Sequence, residues 1–179
     1  MIFPFLNKSA VKNMIIFIFC ILINIQIKGQ THDNPLDKLA FFLGTWEHFN
    51  TTDSISHHYE KVLNGHFIKM KTEARFFPID GEASQHQDEG FFSWDKVRNA
   101  LVFRQFHSEG FINTYVLNSK TSTDKFYVFE SEQVENGFGL IAKLTIELLS
   151  PNEYKMILHL GKRKDELEAC QWINAKRKL

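Results

Sequence analysis

Leu39-Ala40-Phe41-Phe42-Leu43-Gly44-Thr45-Trp46 is the stretch on which the reading of this chain turns. Before it, apolar residues are spaced for a helix; after it, they alternate. Asn34-Pro35 is a helix-start pair, because Asn caps free backbone N–H groups and Pro suits the first helical position, where its missing donor costs nothing. Asp37 puts negative charge in the first turn, where the helix dipole favours it. Leu36, Leu39, Ala40 and Leu43 fall at i, i+3, i+4 and i+7, which predicts one apolar face on a short helix over 35–43. Gly44 ends that helix, since glycine takes up a left-handed conformation cheaply. Trp46 then opens the first strand, and the helix is expected to plug one end of a β-structure.

The segment upstream of this stretch has a different character. Residues 1–30 carry Lys8, Lys12 and Lys28 and no acid. The first two lysines precede an apolar run, Met14 to Ile23, that extends through Asn24 and Gln26 to Ile27. This is the charged region and apolar core of a signal peptide, and it is short against the roughly 20 apolar residues a membrane span requires. Gly29 supplies a small residue near a cleavage site, so the mature chain is expected to begin at Gln30 or Thr31. The expected location is periplasmic or secreted, with no stable membrane insertion once the signal is removed. Cys20 lies inside the apolar core behind Phe19, which does not suit lipid attachment. Cys170 is the other cysteine, so the mature chain has no internal disulfide despite an oxidising destination.

The chain of 179 residues carries 21 basic and 21 acidic residues. Three of the basic residues fall within 1–30, so the mature chain has a net charge of −3. That argues against nucleic acid as a partner, because the expected footprint is a basic face. Residues 31–179 are the length of one domain with one core. The 18 phenylalanines lie mostly on candidate strands, where they would fill or line a barrel.

From Gly44 onward, apolar or alternating runs are separated by short turn signals. The runs are 44–50, 55–63, 66–77, 89–95, 100–107, 111–118, 126–134, 140–149, 154–160 and 166–176. Asn64-Gly65 is expected to form a two-residue hairpin turn, and 79–87 a polar loop. About ten strands with short connections pair antiparallel, and a sheet of that size removes its exposed edges by closing. The expected fold is therefore all-β: a roughly ten-stranded antiparallel up-and-down barrel over 44–177. A two-sheet sandwich is the alternative. Period-two alternation turns Ile68, Met70, Thr72 and Ala74 inward, likewise Ala142, Leu144, Ile146 and Leu148, and Tyr154, Met156, Leu158 and Leu160. Gly90, Phe92 and Trp94 share one face.

Gly44-Thr45-Trp46 resembles the Gly-x-Trp signature of lipocalin-like (calycin) barrels. Tyr59 to Ile68, Glu89-Gly90-Phe91-Phe92-Ser93-Trp94-Asp95 and Phe103 to Gly110 together resemble a DUF1579-type family of bacterial, often exported calycin-like domains of unknown function, which implies a bacterial source. The likeness covers about Leu36 to Arg177, with Trp94 where that family has Tyr. It implies a ligand-sized cavity and no particular reaction. A more distant likeness, through Leu43-Gly44-Thr45-Trp46, is to nitrobindin-like haem barrels. By analogy with lipocalins, a late basic residue, Arg177 or Lys176, is expected to cover Trp46 by a cation–π contact.

No residue pattern names a reaction. The chain has no Gly-x-Ser-x-Gly elbow, P-loop or His-Glu-x-x-His motif. Glu89, Asp95, Glu109, Glu130 and Glu132 are available acids that no spacing brings together. The Glu-Gly-Phe triplets at 89–91 and 109–111 read as strand-edge features, with glycine allowing a bulge or corner. His57 and His58 are adjacent, so on a strand their rings point to opposite faces. His66, His86 and His107 are scattered, and no metal site is expected. The region where nitrobindin-like barrels hold haem reads Ala169-Cys170-Gln171-Trp172-Ile173, without histidine. Cys170 and His159 are the alternatives for a haem ligand, and neither is well placed, so no cofactor is expected. The expected function is binding of a small apolar or amphipathic ligand by a monomeric, non-enzymatic barrel; the alternative is a haem barrel or a cofactor-using enzyme. The expected ligand-contacting residues are Trp46, Ile68, Met70, Thr72, Phe92, Trp94, Phe103, Gln105 and Tyr115.

Overall fold

In the computed structural model, residues 34–78 and 81–179 are described. The signal segment expected at 1–30 and the expected start of the domain at 31–33 lie outside the described residues. Ten strands follow a short helix: β1 (Gly44–Phe49), β2 (Asp53–Val62), β3 (Phe67–Phe76), β4 (Ser84–Asp95), β5 (Ala100–His107), β6 (Ile112–Leu117), β7 (Phe126–Glu135), β8 (Ile141–Ser150), β9 (Glu153–Gly161) and β10 (Glu168–Arg177). Each pairs antiparallel with its neighbours in sequence, and β10 returns to β1, so the sheet is a closed up-and-down barrel rather than a sandwich. The closing seam is short: Trp46 pairs with Arg177 and Glu47 with Lys176.

Strict alternation explains the interior. Ile68, Met70, Thr72 and Ala74 of β3 are buried, as are Ala142, Leu144 and Ile146 of β8. Two departures are instructive. The helix, Pro35–Phe42, is a 3₁₀ helix, whose three residues per turn bury Leu36, Leu39 and Phe42 in place of the 3.6-period face through Ala40 and Leu43. The turn after β2 spans four residues, 63–66, and Leu63, Asn64 and Gly65 all have positive φ (51°, 58° and 77°). The two-residue turn expected at Asn64-Gly65 is thus lengthened by one residue at each side.

The helix plugs one end of the barrel. Trp46 is fully buried. Its Nε1–H donates to Phe42 O at 2.7 Å, and its ring lies 5.0 Å from Phe41 and 4.8 Å from Tyr154. Arg177, not Lys176, covers it: the guanidinium sits 4.1 Å from the indole ring, while Nη1 and Nη2 each donate at 2.6 Å, to Leu43 O and Phe41 O. One side chain therefore satisfies two carbonyls at the end of the helix and caps the aromatic floor. The connections at 63–66, 96–99, 118–125 and 151–152 lie at this plugged end. Those at 50–52, 108–111, 136–140 and 162–167, with 77–78 and 81–83, surround the other end, the mouth.

Candidate functional site

Inward side chains fill the plugged half of the barrel and leave a cavity of about 570 Å³ toward the mouth. Small-molecule sites typically fall between about 300 and 1,000 Å³. The floor of the cavity includes a stack of rings: Phe92 lies 4.1 Å from Phe103 with planes 9° apart, and Phe103 lies 5.7 Å from Tyr115. This stack explains Gly90. It pairs in regular register with Met70 and Gln105, so there is no bulge of the kind expected there. A Cβ at this position would come within 2.8 Å of Phe103 Cζ, so the missing side chain is what lets the Phe103 ring lie flat across the strand. Gly90→Ala is expected to lower stability by about 1–3 kcal/mol through overpacking. Urea denaturation measures this, and a neutral result would mean that Phe103 is free to move aside.

The walls differ in chemistry. Ile55, Leu144, Met156, Leu158, Leu160 and Ile173 make one side apolar. The opposing side, on β2 to β6, presents His57, Thr72, His86, Asp88, Gln105, His107 and Asn113. The register of the β4–β5 hairpin assembles much of this wall. Counting outward from the turn at 96–99, Asp88 pairs with His107, and His86 stands one inward position further on, facing Glu109. The histidines that look scattered in sequence are therefore neighbours: His86 Nε2 lies 3.5 Å from His107 Nδ1. The same register corrects the expected loop at 79–87. β4 begins at Ser84, and its first half escapes notice because its inward residues, His86 and Asp88, are polar.

The charges on this wall are set by burial and contact. His86 Nε2–H donates to Asp88 Oδ2 at 3.3 Å and Nδ1–H to Glu109 Oε1 at 2.7 Å. The Asp88 bond, with help from Glu109 and against burial, raises His86 to about 9, so it is a cation at neutral pH. Burial would raise the Asp88 carboxyl, but His86, Gln105 and the nearby His107 and His57 outweigh it and hold it below its ordinary value. Burial lowers His107 to about 4, partly offset by Asp88, and it stays neutral, stacked 3.9 Å from Phe111. Deeper in, burial lowers His57 to about 4, and its Nδ1 shares a 2.6 Å hydrogen bond with the Tyr154 hydroxyl. On this wall the buried Thr72 Oγ1, Asp88 Oδ1 and Asn113 Oδ1 make no hydrogen bond within the protein.

Of the residues expected to touch a ligand, Met70, Thr72, Phe92, Phe103, Gln105 and Tyr115 line the cavity. Trp46, Ile68 and Trp94 do not; they belong to the packed plugged end. Sequence reasoning missed His57, His86, Asp88, His107 and Asn113 as cavity residues, and the β4–β5 register was the signal that would have found His86, Asp88 and His107. Glu89 faces outward to Lys69 at 2.9 Å, Asp95 and Glu132 bind Arg98, and Glu130 accepts from Asn118, so these acids are structural. Neither His159 nor Cys170 lines the cavity, and a haem held there would need another axial ligand. Cys170 is exposed at a bulge in β10, where Sγ lies 3.3 Å from Leu158 O. His86, His107 and Glu109 each offer a metal-ligating atom, all within 4.8 Å of one another. No protein-family model matches the chain, and no curated protein matches it.

Proposed function

We propose that the protein is an exported, calycin-like carrier that takes one small amphipathic molecule into its barrel, with the apolar body against β8–β10 and a hydrogen-bond-donating head against β3–β6. The observation that carries this reading is a 570 Å³ cavity with one apolar and one polar wall, the polar one holding three buried oxygens, Thr72 Oγ1, Asp88 Oδ1 and Asn113 Oδ1, without protein partners. Buried polar atoms without partners are costly, and a bound head that donates to them removes the cost. Two carboxylates, Asp88 and Glu109, flank the one His86 cation, so the wall favours an amine, amide or hydroxyl head over a carboxylate. The export segment read in residues 1–30 and the resemblance to DUF1579-type barrels support the placement and the class.

The test is uptake of an environment-sensitive anilinonaphthalene dye and its displacement by alkyl amines, alcohols and fatty acids, alongside native mass spectrometry of protein from its own compartment. Met156→Trp, which projects an indole into the cavity from the apolar wall, is expected to weaken uptake at least tenfold, about 1.4 kcal/mol. Dye uptake that is absent in the wild type, or unchanged by Met156→Trp, would overturn the reading.

A further inference from the structure

We infer that the mouth of the barrel holds a divalent first-row transition-metal ion, with His86 Nε2, His107 Nδ1 and Asp88 Oδ2 as ligands and Glu109 orienting His86. In a tetrahedral site with bonds of about 2.0–2.1 Å, neighbouring ligand atoms stand roughly 3.3–3.4 Å apart. His86 Nε2 is 3.5 Å from His107 Nδ1 and 3.3 Å from Asp88 Oδ2, each close to that spacing, and an ion at this point would displace the Nε2 proton of His86 and take its lone pair. An independent observation points the same way: Asp88 is only 5% exposed, and its second oxygen has no hydrogen bond in the protein. Glu109 Oε1 sits 2.7 Å from Nδ1, the other ring nitrogen of His86. That is the carboxylate–histidine arrangement by which metal-binding imidazoles are oriented and made more basic.

His107 has a comparable support. The Asn113 amide lies 3.0 Å from its Nε2. With Oδ1 of that amide turned toward the ring, Nε2–H donates to it and Nδ1 keeps a lone pair aimed at the ion; the exchange of amide N and O changes no volume. Asp88 and Glu109 balance the two positive charges of the ion. Mixed imidazole and carboxylate donors suit zinc, iron or cobalt rather than calcium or magnesium, which prefer oxygen alone. Because His86 and His107 also line the cavity, an open coordination position would face its interior. The inference goes beyond the carrier reading and does not depend on it.

Cobalt(II) is the probe, since its visible ligand-field bands report imidazole ligation directly. Titration of the purified protein, stripped with a chelator, is expected to give one equivalent of bound Co²⁺, displaced by Zn²⁺ and not by Mg²⁺. His86→Gln and His107→Gln are each expected to weaken binding by more than a hundredfold. Glu109→Gln, which leaves all three ligands in place, should weaken it tenfold to a hundredfold. Near-ultraviolet circular dichroism checks that each variant is folded, and dye uptake by the histidine variants separates loss of the ion site from loss of the cavity. Met156→Trp should block the dye and leave the cobalt spectrum unchanged. Absence of ligand-field bands in the wild type, or bands that survive in folded His86→Gln and His107→Gln, would overturn the inference.

Discussion

Trp46→Ala is expected to lower the stability of the barrel by about 3–5 kcal/mol, the range for emptying a large aromatic from a core. The indole is fully buried between Phe41, Tyr154 and the Arg177 guanidinium, so its removal opens a void that three separate elements line. It also takes away the donor to Phe42 O, which is held at 2.7 Å within the core. Arg177 would keep its bonds to Leu43 O and Phe41 O but would lose the ring beneath it. Trp46→Phe retains most of the apolar area and gives up the Nε1 donor, so its cost should be smaller. Urea denaturation at neutral pH measures both. A loss for Trp46→Ala of about 0.5 kcal/mol or less, the range of surface substitutions, would contradict this account of the plug.

Acidification from pH 6.5 to 4 is expected to destabilise the protein, with His57 contributing roughly 3 kcal/mol at about 1.4 kcal/mol per pKa unit. His57 is buried and held down to about 4, below its ordinary 6.5. The unfolded chain therefore binds a proton in this window that the folded chain refuses. The stability associated with neutral His57 is present above pH 6.5 and is lost as pH falls toward 4. His107, lowered in the same direction, adds to the slope. His57→Phe keeps a ring of similar size, gives up the bond to the Tyr154 hydroxyl, and should flatten part of the acid limb. Urea midpoints measured across pH 4–8 with a chelator present test this. An equally steep acid limb in His57→Phe would show that His57 is not the group responsible.

The fold was legible because inward positions in most strands are apolar. In β3, β8 and β9 the alternation is clean, and the Gly44-Thr45-Trp46 junction marks where the helix hands over to the sheet. The helix subtype was not legible: Leu36 and Leu39 fit a period of three as well as 3.6, and only burial of Phe42 over Leu43 decides between them. The apolar floor was legible through Met70, Phe92, Phe103 and Tyr115 for the same reason as the fold. The polar wall was hidden because hydrophobic periodicity is blind to inward polar residues. In β4 it loses the strand where His86 and Asp88 turn inward, so the pattern fails at the part of the barrel best equipped to recognise a ligand. Hairpin register would have recovered it, since the turn at 96–99 fixes which residues of β4 and β5 stand opposite one another.

The seam between β1 and β10 has a consequence for how the chain must come together. The ladder between these strands has two residue pairs, Trp46 with Arg177 and Glu47 with Lys176, about 130 positions apart in sequence. A polypeptide delivered from its N-terminus therefore carries β1 as an unpaired edge until residue 177 has emerged. Until then it is a curled, open ribbon that cannot lock. That delay carries the risk of edge-to-edge pairing between copies while the chain waits.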